Sequence, residues 1–138
     1  MTLFFWRKKE VATPLRVGKM IVVQEAPQRF TLTVSGVISP QLVAECQKKI
    51  LAVGRQGSKS RGMIRADDFQ GFVRGFDGGT SEIERALGID EIVERIAVVA
   101  NEKWHENLEI FMGGWMRKAQ ISFFAPTDVE RARAWLES

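Results

Sequence analysis

The segment Glu94–Ala100 constrains the fold most, because Ile96, Ala97, Val98 and Val99 are apolar at consecutive positions. Successive side chains of a strand point to opposite faces, so this run needs cover on both sides, as a central parallel strand has. The rest of the chain supplies that cover in alternating elements. Lys19–Glu25 and Arg29–Gly36 read as strands, the second with Phe30, Leu32 and Val34 on one face and Thr31, Thr33 and Ser35 on the other. Ala26-Pro27-Gln28 between them is short enough for a hairpin turn. Ser39-Pro40 starts a helix, a capping hydroxyl followed by a proline whose missing N–H is harmless at the first helical position. That helix runs to about Val53, ahead of Gly54 and Gly57.

Residues 60–66 read as the third strand. The stretch Phe69–Gly79, with four glycines and three phenylalanines, has neither period and reads as a loop. Ser81 with Glu84 forms a capping box for a helix carrying Ile83, Ala86 and Leu87. Beyond the central strand, Asn101 caps a helix on which Trp104, Leu108, Phe111, Met112 and Trp115 recur at helical spacing, until Gly113-Gly114 weakens or ends it. Ala119–Ala125 is the last strand, and Thr127 with Glu130 caps a final helix bearing Val129, Ala132 and Leu136. The order β-β-α-β-α-β-α-β-α predicts an α/β domain: a mostly parallel mixed sheet of about five strands with about four helices.

At 138 residues and 45% hydrophobic content the chain suits one domain. Its net charge of +3 is placed unevenly. Residues 1–16 hold Arg7, Lys8, Lys9 and Arg16 against Glu10, whereas residues 17–138 are balanced, with 16 basic and 16 acidic side chains. This divides the chain into a basic, aromatic tail (1–16) and a neutral domain (17–138), and a neutral body argues against nucleic acid as the partner. No apolar run approaches the roughly 20 residues that cross a bilayer. The opening Leu3-Phe4-Phe5-Trp6 precedes its basic residues, the reverse of a signal peptide, so a cytoplasmic location is expected. Cys46 stands alone, spaced with Leu42, Val43 and Ile50 on a buried helix face, where a thiol behaves as a small hydrophobe.

Arg95-Ile-Ala-Val-Val-Ala-Asn-Glu-Lys-Trp104 resembles the strand-and-helix segment of the SpoIIAA-like family, and Asp67-Asp-Phe-Gln-Gly71 resembles that family's Asp-x-Phe-x-Gly after its third strand. The closing strand with Asp128–Leu136 fits the family's end, so the resemblance spans roughly residues 18–137. It implies a STAS-type fold, with relatives that antagonise anti-sigma factors and others associated with lipids or apolar ligands near membranes. The antagonists carry a phosphorylatable serine where this chain has Asp67-Asp68-Phe69. Ser81 is the nearest later serine and the phosphorylation candidate, against its simpler reading as a helix cap.

Catalytic chemistry finds few candidates. His105 is the only histidine; with Glu109 one turn on, it makes at most a two-ligand metal site, and a solvated helix face is the simpler reading. Asp67 and Asp68, adjacent at a strand end, are expected to point to opposite sides, which argues against a cooperating carboxylate pair. They do lie near the carboxyl end of a strand, where open α/β sheets bind ligands. The expected function is therefore non-enzymatic binding, without metal or cofactor. The candidate ligand site comprises Asp67, Asp68, Phe69, Phe72, Phe76, Trp104, Phe111, Met112 and Trp115. Either the loop phenylalanines form a lid (69–79 closing on 111–116) over an apolar small molecule or lipid, or the aromatics pack as core. Phe4, Phe5, Trp6, Arg7, Lys8 and Lys9 combine rings and cations as a membrane interface requires, and are the candidate membrane contacts. The competing reading is a regulatory domain docking a protein partner around Asp67 and Ser81; a second copy of the chain is a further candidate partner.

Overall fold

A computed structural model describes residues 14–54, 59–76, 92–113 and 118–138. Five strands form one sheet in the order β1 (Lys19–Ala26), β2 (Arg29–Ile38), β3 (Ser60–Phe72), β4 (Val93–Val99), β5 (Gln120–Phe124). β1 and β2 are antiparallel and every later pairing is parallel. Three α-helices lie among the described residues: α1 (Pro40–Gly54), α2 (His105–Gly113) and α3 (Val129–Glu137).

A sheet that adds each strand beside the last, through connections of one hand, collects its connecting helices on one face. α1 and α2 accordingly share a core with Phe30, Leu32, Ile64, Ile96 and Val98. α3 follows the last strand and covers the opposite face, where Ala132 and Leu136 meet Met63, Ala97 and Val99. β4 has cover on both sides, and Ile96 through Val99 are wholly buried. Ser39 Oγ accepts from Leu42 N at 3.4 Å and Asn101 Oδ1 from Lys103 N at 3.1 Å, two of the four caps read in the sequence. The Thr127–Glu130 capping box is not made: a 3-10 turn, Pro126–Asp128, leads into α3, whose N-cap Asp128 makes no capping hydrogen bond with its side chain. Trp104 likewise closes a 3-10 turn, Glu102–Trp104, ahead of α2.

The main departure is β3, which runs to Phe72 instead of ending near Ala66. Its pairing with β2 slips twice: Thr33 and Ser35 face Arg65 and Asp68, and Gly36 and Ile38 face Phe69 and Phe72. Each slip inserts one extra residue in β3, and a bulge erases the two-residue alternation by which a strand is recognised. Phe69 and Phe72 are therefore strand residues rather than parts of a loop.

Two polar groups on α1 sit oddly in the core. Burial pushes the Cys46 thiol up to about 12, against the weaker opposing charge of Lys49. Gln47 is fully buried, and neither atom of its amide has a hydrogen-bond partner among the described residues. An unbonded buried amide costs roughly 1–3 kcal/mol. Gln47→Met, which keeps the volume and removes the amide, is therefore expected to raise unfolding stability by about 1–2 kcal/mol in urea titration. A loss would mean that the amide is bonded in solution.

Candidate functional site

The two bulges of β3 deliver its carboxyl end to a shallow hollow of about 380 Å³, lined by Leu15, Arg16, Asp67, Asp68, Phe69, Gln70, Lys103 and Trp104. Phe69 is buried beneath it, and its ring meets Trp104 edge to face at 4.8 Å between centroids. Lys103 Nζ stands 5.3 Å from the Trp104 ring centroid, within cation–π reach.

Asp67 and Asp68, beside the bulge at Ala66-Asp67, are both exposed. Asp67 Oδ2 accepts from Arg65 at 3.0 Å, and Asp68 lies 3.6 Å from Arg16. Each carboxylate thus has its own cation.

Arg16 reaches the site because the chain before β1 crosses the strand ends. Gln70 Oε1 accepts from Arg16 N at 2.8 Å, and Gln70 Nε2 donates to Pro14 O at 3.0 Å, so one side-chain amide imitates a strand neighbour. At Gly36 φ is 68°, a left-handed angle, and a Cβ there would press on the Arg16 and Val17 carbonyls that cross it.

The predicted aromatics do converge. Phe72 meets Phe69 and Phe76, each at 5.3 Å edge to face, and Phe111 at 5.9 Å. Phe69, Phe111 and Met112 are buried, while Phe72, Phe76 and Trp104 are partly buried against the same core. Trp115, Ser81 and the tail residues Phe4, Phe5, Trp6, Arg7, Lys8 and Lys9 lie outside the described residues.

His105 is not on a solvated face: half-buried, it stacks on Phe123 at 4.6 Å, with Nε2 3.2 Å from the Ala100 carbonyl. Glu109 is exposed, and among the described residues no three metal-ligating side chains gather. No helix among the described residues is long and apolar enough to cross a membrane.

A second cleft, about 460 Å³, lies at the amino ends of the strands between Gln28, Arg29, Lys59, Arg61 and Glu94. Its arginines are engaged: Arg29 pairs with Glu137 at 3.1 Å and Arg61 with Glu94 at 2.8 Å. Sequence reading missed Arg16, Gln70 and Lys103 at the first hollow and the arginine row at the second. Cross-strand register sets Arg29 beside Arg61 and Arg61 beside Arg95, a relation visible only once the strands are aligned.

A family model described as SpoIIAA-like matches residues 29–137. The fold is similar to the crystal structure of an uncharacterized protein from the DUF3478 family with a SpoIIAA-like fold from Shewanella loihica PV-4. The TM-score is 0.60 at 13% identity, covering 90% of this chain and 98% of that one. No curated protein matches the sequence.

Proposed function

The chain belongs to the SpoIIAA-like family, and from that premise we propose that it is a regulatory STAS-type binding domain whose protein partner docks over the carboxyl ends of β3 and β4. The hollow at Phe69 and Trp104 carries this reading. It sets a partly buried indole inside a rim of both charge signs, Arg16 and Lys103 with Asp67 and Asp68. Protein interfaces place aromatic anchors at the centre and charges at the rim, the anchors supplying affinity and the charges register. The same surface offers no nucleophile with a base in reach, which favours binding over turnover. Asp67-Asp68-Phe69 in place of the antagonists' serine motif makes the docking independent of phosphate at that position.

Capture from a host lysate by the immobilised full chain tests the reading. Trp104→Ala is expected to weaken retention of a specific protein by about 30-fold, the scale of a 2 kcal/mol anchor. Because Trp104 also supports Phe69, Asp68→Lys, on the exposed rim, is the control for folding and should weaken the same capture. Identical retention by wild type and both variants would refute this surface.

A second reading, an apolar small molecule or lipid as ligand, draws on the partly buried rings of Phe72, Phe76 and Trp104 at the margin of the aromatic cluster. Saturable binding of a fluorescent fatty acid, abolished by Phe76→Asp, supports it; no saturation counts against it.

A further inference from the structure

β1 is an edge of the sheet, and among the described residues no element covers its outer face. α1 covers one side, burying Met20 and part of Val22, whereas α3 lies against β3, β4 and β5 on the other. That leaves Lys19, Ile21 and Val23 on the uncovered face, with Ile21 and Val23 50% and 51% exposed, and Glu25, which sits in a bulge between Gln24 and Ala26, reaches the same face by accepting from the hydroxyl of Thr31, the residue opposite Val23. They stand over a polar neighbour, since Ile21 faces Thr33 and Val23 faces Thr31. An exposed edge of eight residues with no proline is a template for another strand.

The order of the side chains says which strand. Two identical strands related by a two-fold axis pair antiparallel, and directly opposite residues share a face. Centring the axis on Val22 puts Lys19 opposite the second copy's Glu25 and Ile21 opposite its Val23, each twice by symmetry. Centring it on Ile21 sets Lys19 against Val23, and centring it on Val23 sets Glu25 against Ile21. The Val22 register alone matches charge with charge and apolar with apolar among these three. Lys19 has no ion pair among the described residues, and Glu25, which accepts from the Thr31 hydroxyl, has lone pairs to spare.

We propose that the chain forms a homodimer through antiparallel β1–β1 pairing about Val22, joining two sheets into one continuous sheet with a shared patch of Ile21 and Val23. β2 lies between this seam and the β3–β4 hollow, and the seam does not depend on the partner proposed there. A single-strand seam buries less than a standard interface, so association is concentration-dependent.

Sedimentation velocity of the full chain, up to about 1 mM, reads the equilibrium directly. Lys19→Glu and Glu25→Lys each turn two attractive pairs into repulsive ones and are expected to weaken dimerisation at least about tenfold. The double reversal Lys19→Glu with Glu25→Lys recreates both pairs and is expected to restore the wild-type association. Circular dichroism checks that these exposed substitutions leave the fold intact. A monomer throughout the range overturns the proposal, as does a dimer indifferent to the single reversals, or a double reversal that fails to recover.

Discussion

Gly62→Ala is expected to lower unfolding stability by about 3 kcal/mol and the melting temperature by roughly 10 °C. Gly62 pairs with Phe30 across β2 and β3, and the Phe30 ring, fully buried, lies over the glycine. A Cβ on Gly62 would collide with Phe30 Cζ, Cε2 and Cε1, the last at 2.7 Å. The ring cannot retreat, because a close-packed core has no void to receive it. Phe30→Leu alone also destabilises, by removing buried area. Combined with Gly62→Ala, however, it should recover at least about 1 kcal/mol relative to the sum of the single effects, the signature of a shared space. Simple additivity in urea titrations would mean that the ring does not occupy it.

Arg61→Ala should cost about 2 kcal/mol, through the loss of α3 from the sheet. Arg61 Nη1 donates to the Leu136 and Ser138 carbonyls at 2.6 and 2.8 Å, and Arg95 Nη1 donates to those of Trp135 and Ser138 at 2.9 and 3.0 Å. The last carbonyls of a helix lack partners within it and carry the negative end of its dipole. Two guanidiniums projecting from β3 and β4 satisfy them. A nine-residue helix is not stable alone, so α3 depends on this anchorage and on packing against Met63, Ala97 and Val99. Hydrogen exchange of Arg61→Ala should show α3 amides opening ahead of β4.

The same cluster carries a pH dependence. The hydrogen bond from Arg61 holds the Glu94 carboxyl below the usual glutamate range; a small desolvation cost opposes it, and the charges of Arg61, Arg95 and Lys59 reinforce it. A depressed carboxylate stabilises the fold above its unfolded pKa and loses that contribution as pH falls through its folded value. Glu94 is largely solvated, so the size is only a few tenths of a kcal/mol. Wild type should exceed Glu94→Gln in stability at neutral pH, and the gap should close below about pH 4.3.

How far the chain could be read before folding depended on whether the signal was local. Ile96–Val99, Ser39 and Asn101 speak through neighbours in sequence, and their strand and caps were legible. β3 past Ala66 was not, because its bulges cancel the alternation and its glycines imitate a loop. Thr127 misled for a similar reason: the capping pattern is present, but a 3-10 turn occupies the place. The hollow was half legible. Asp67, Asp68, Phe69 and Trp104 border strand and helix ends that sequence locates, whereas Arg16 arrives by a crossing that Gln70 fixes from 54 residues away. His105 packs on Phe123, a contact between elements that no spacing along α2 encodes.

Hydrogen exchange of the full chain with and without its captured protein is the most direct test of docking over β3 and β4. Protection confined to residues 67–70 and 101–105 is the expected outcome. Unchanged exchange there, with protection elsewhere on the molecule, would contradict it.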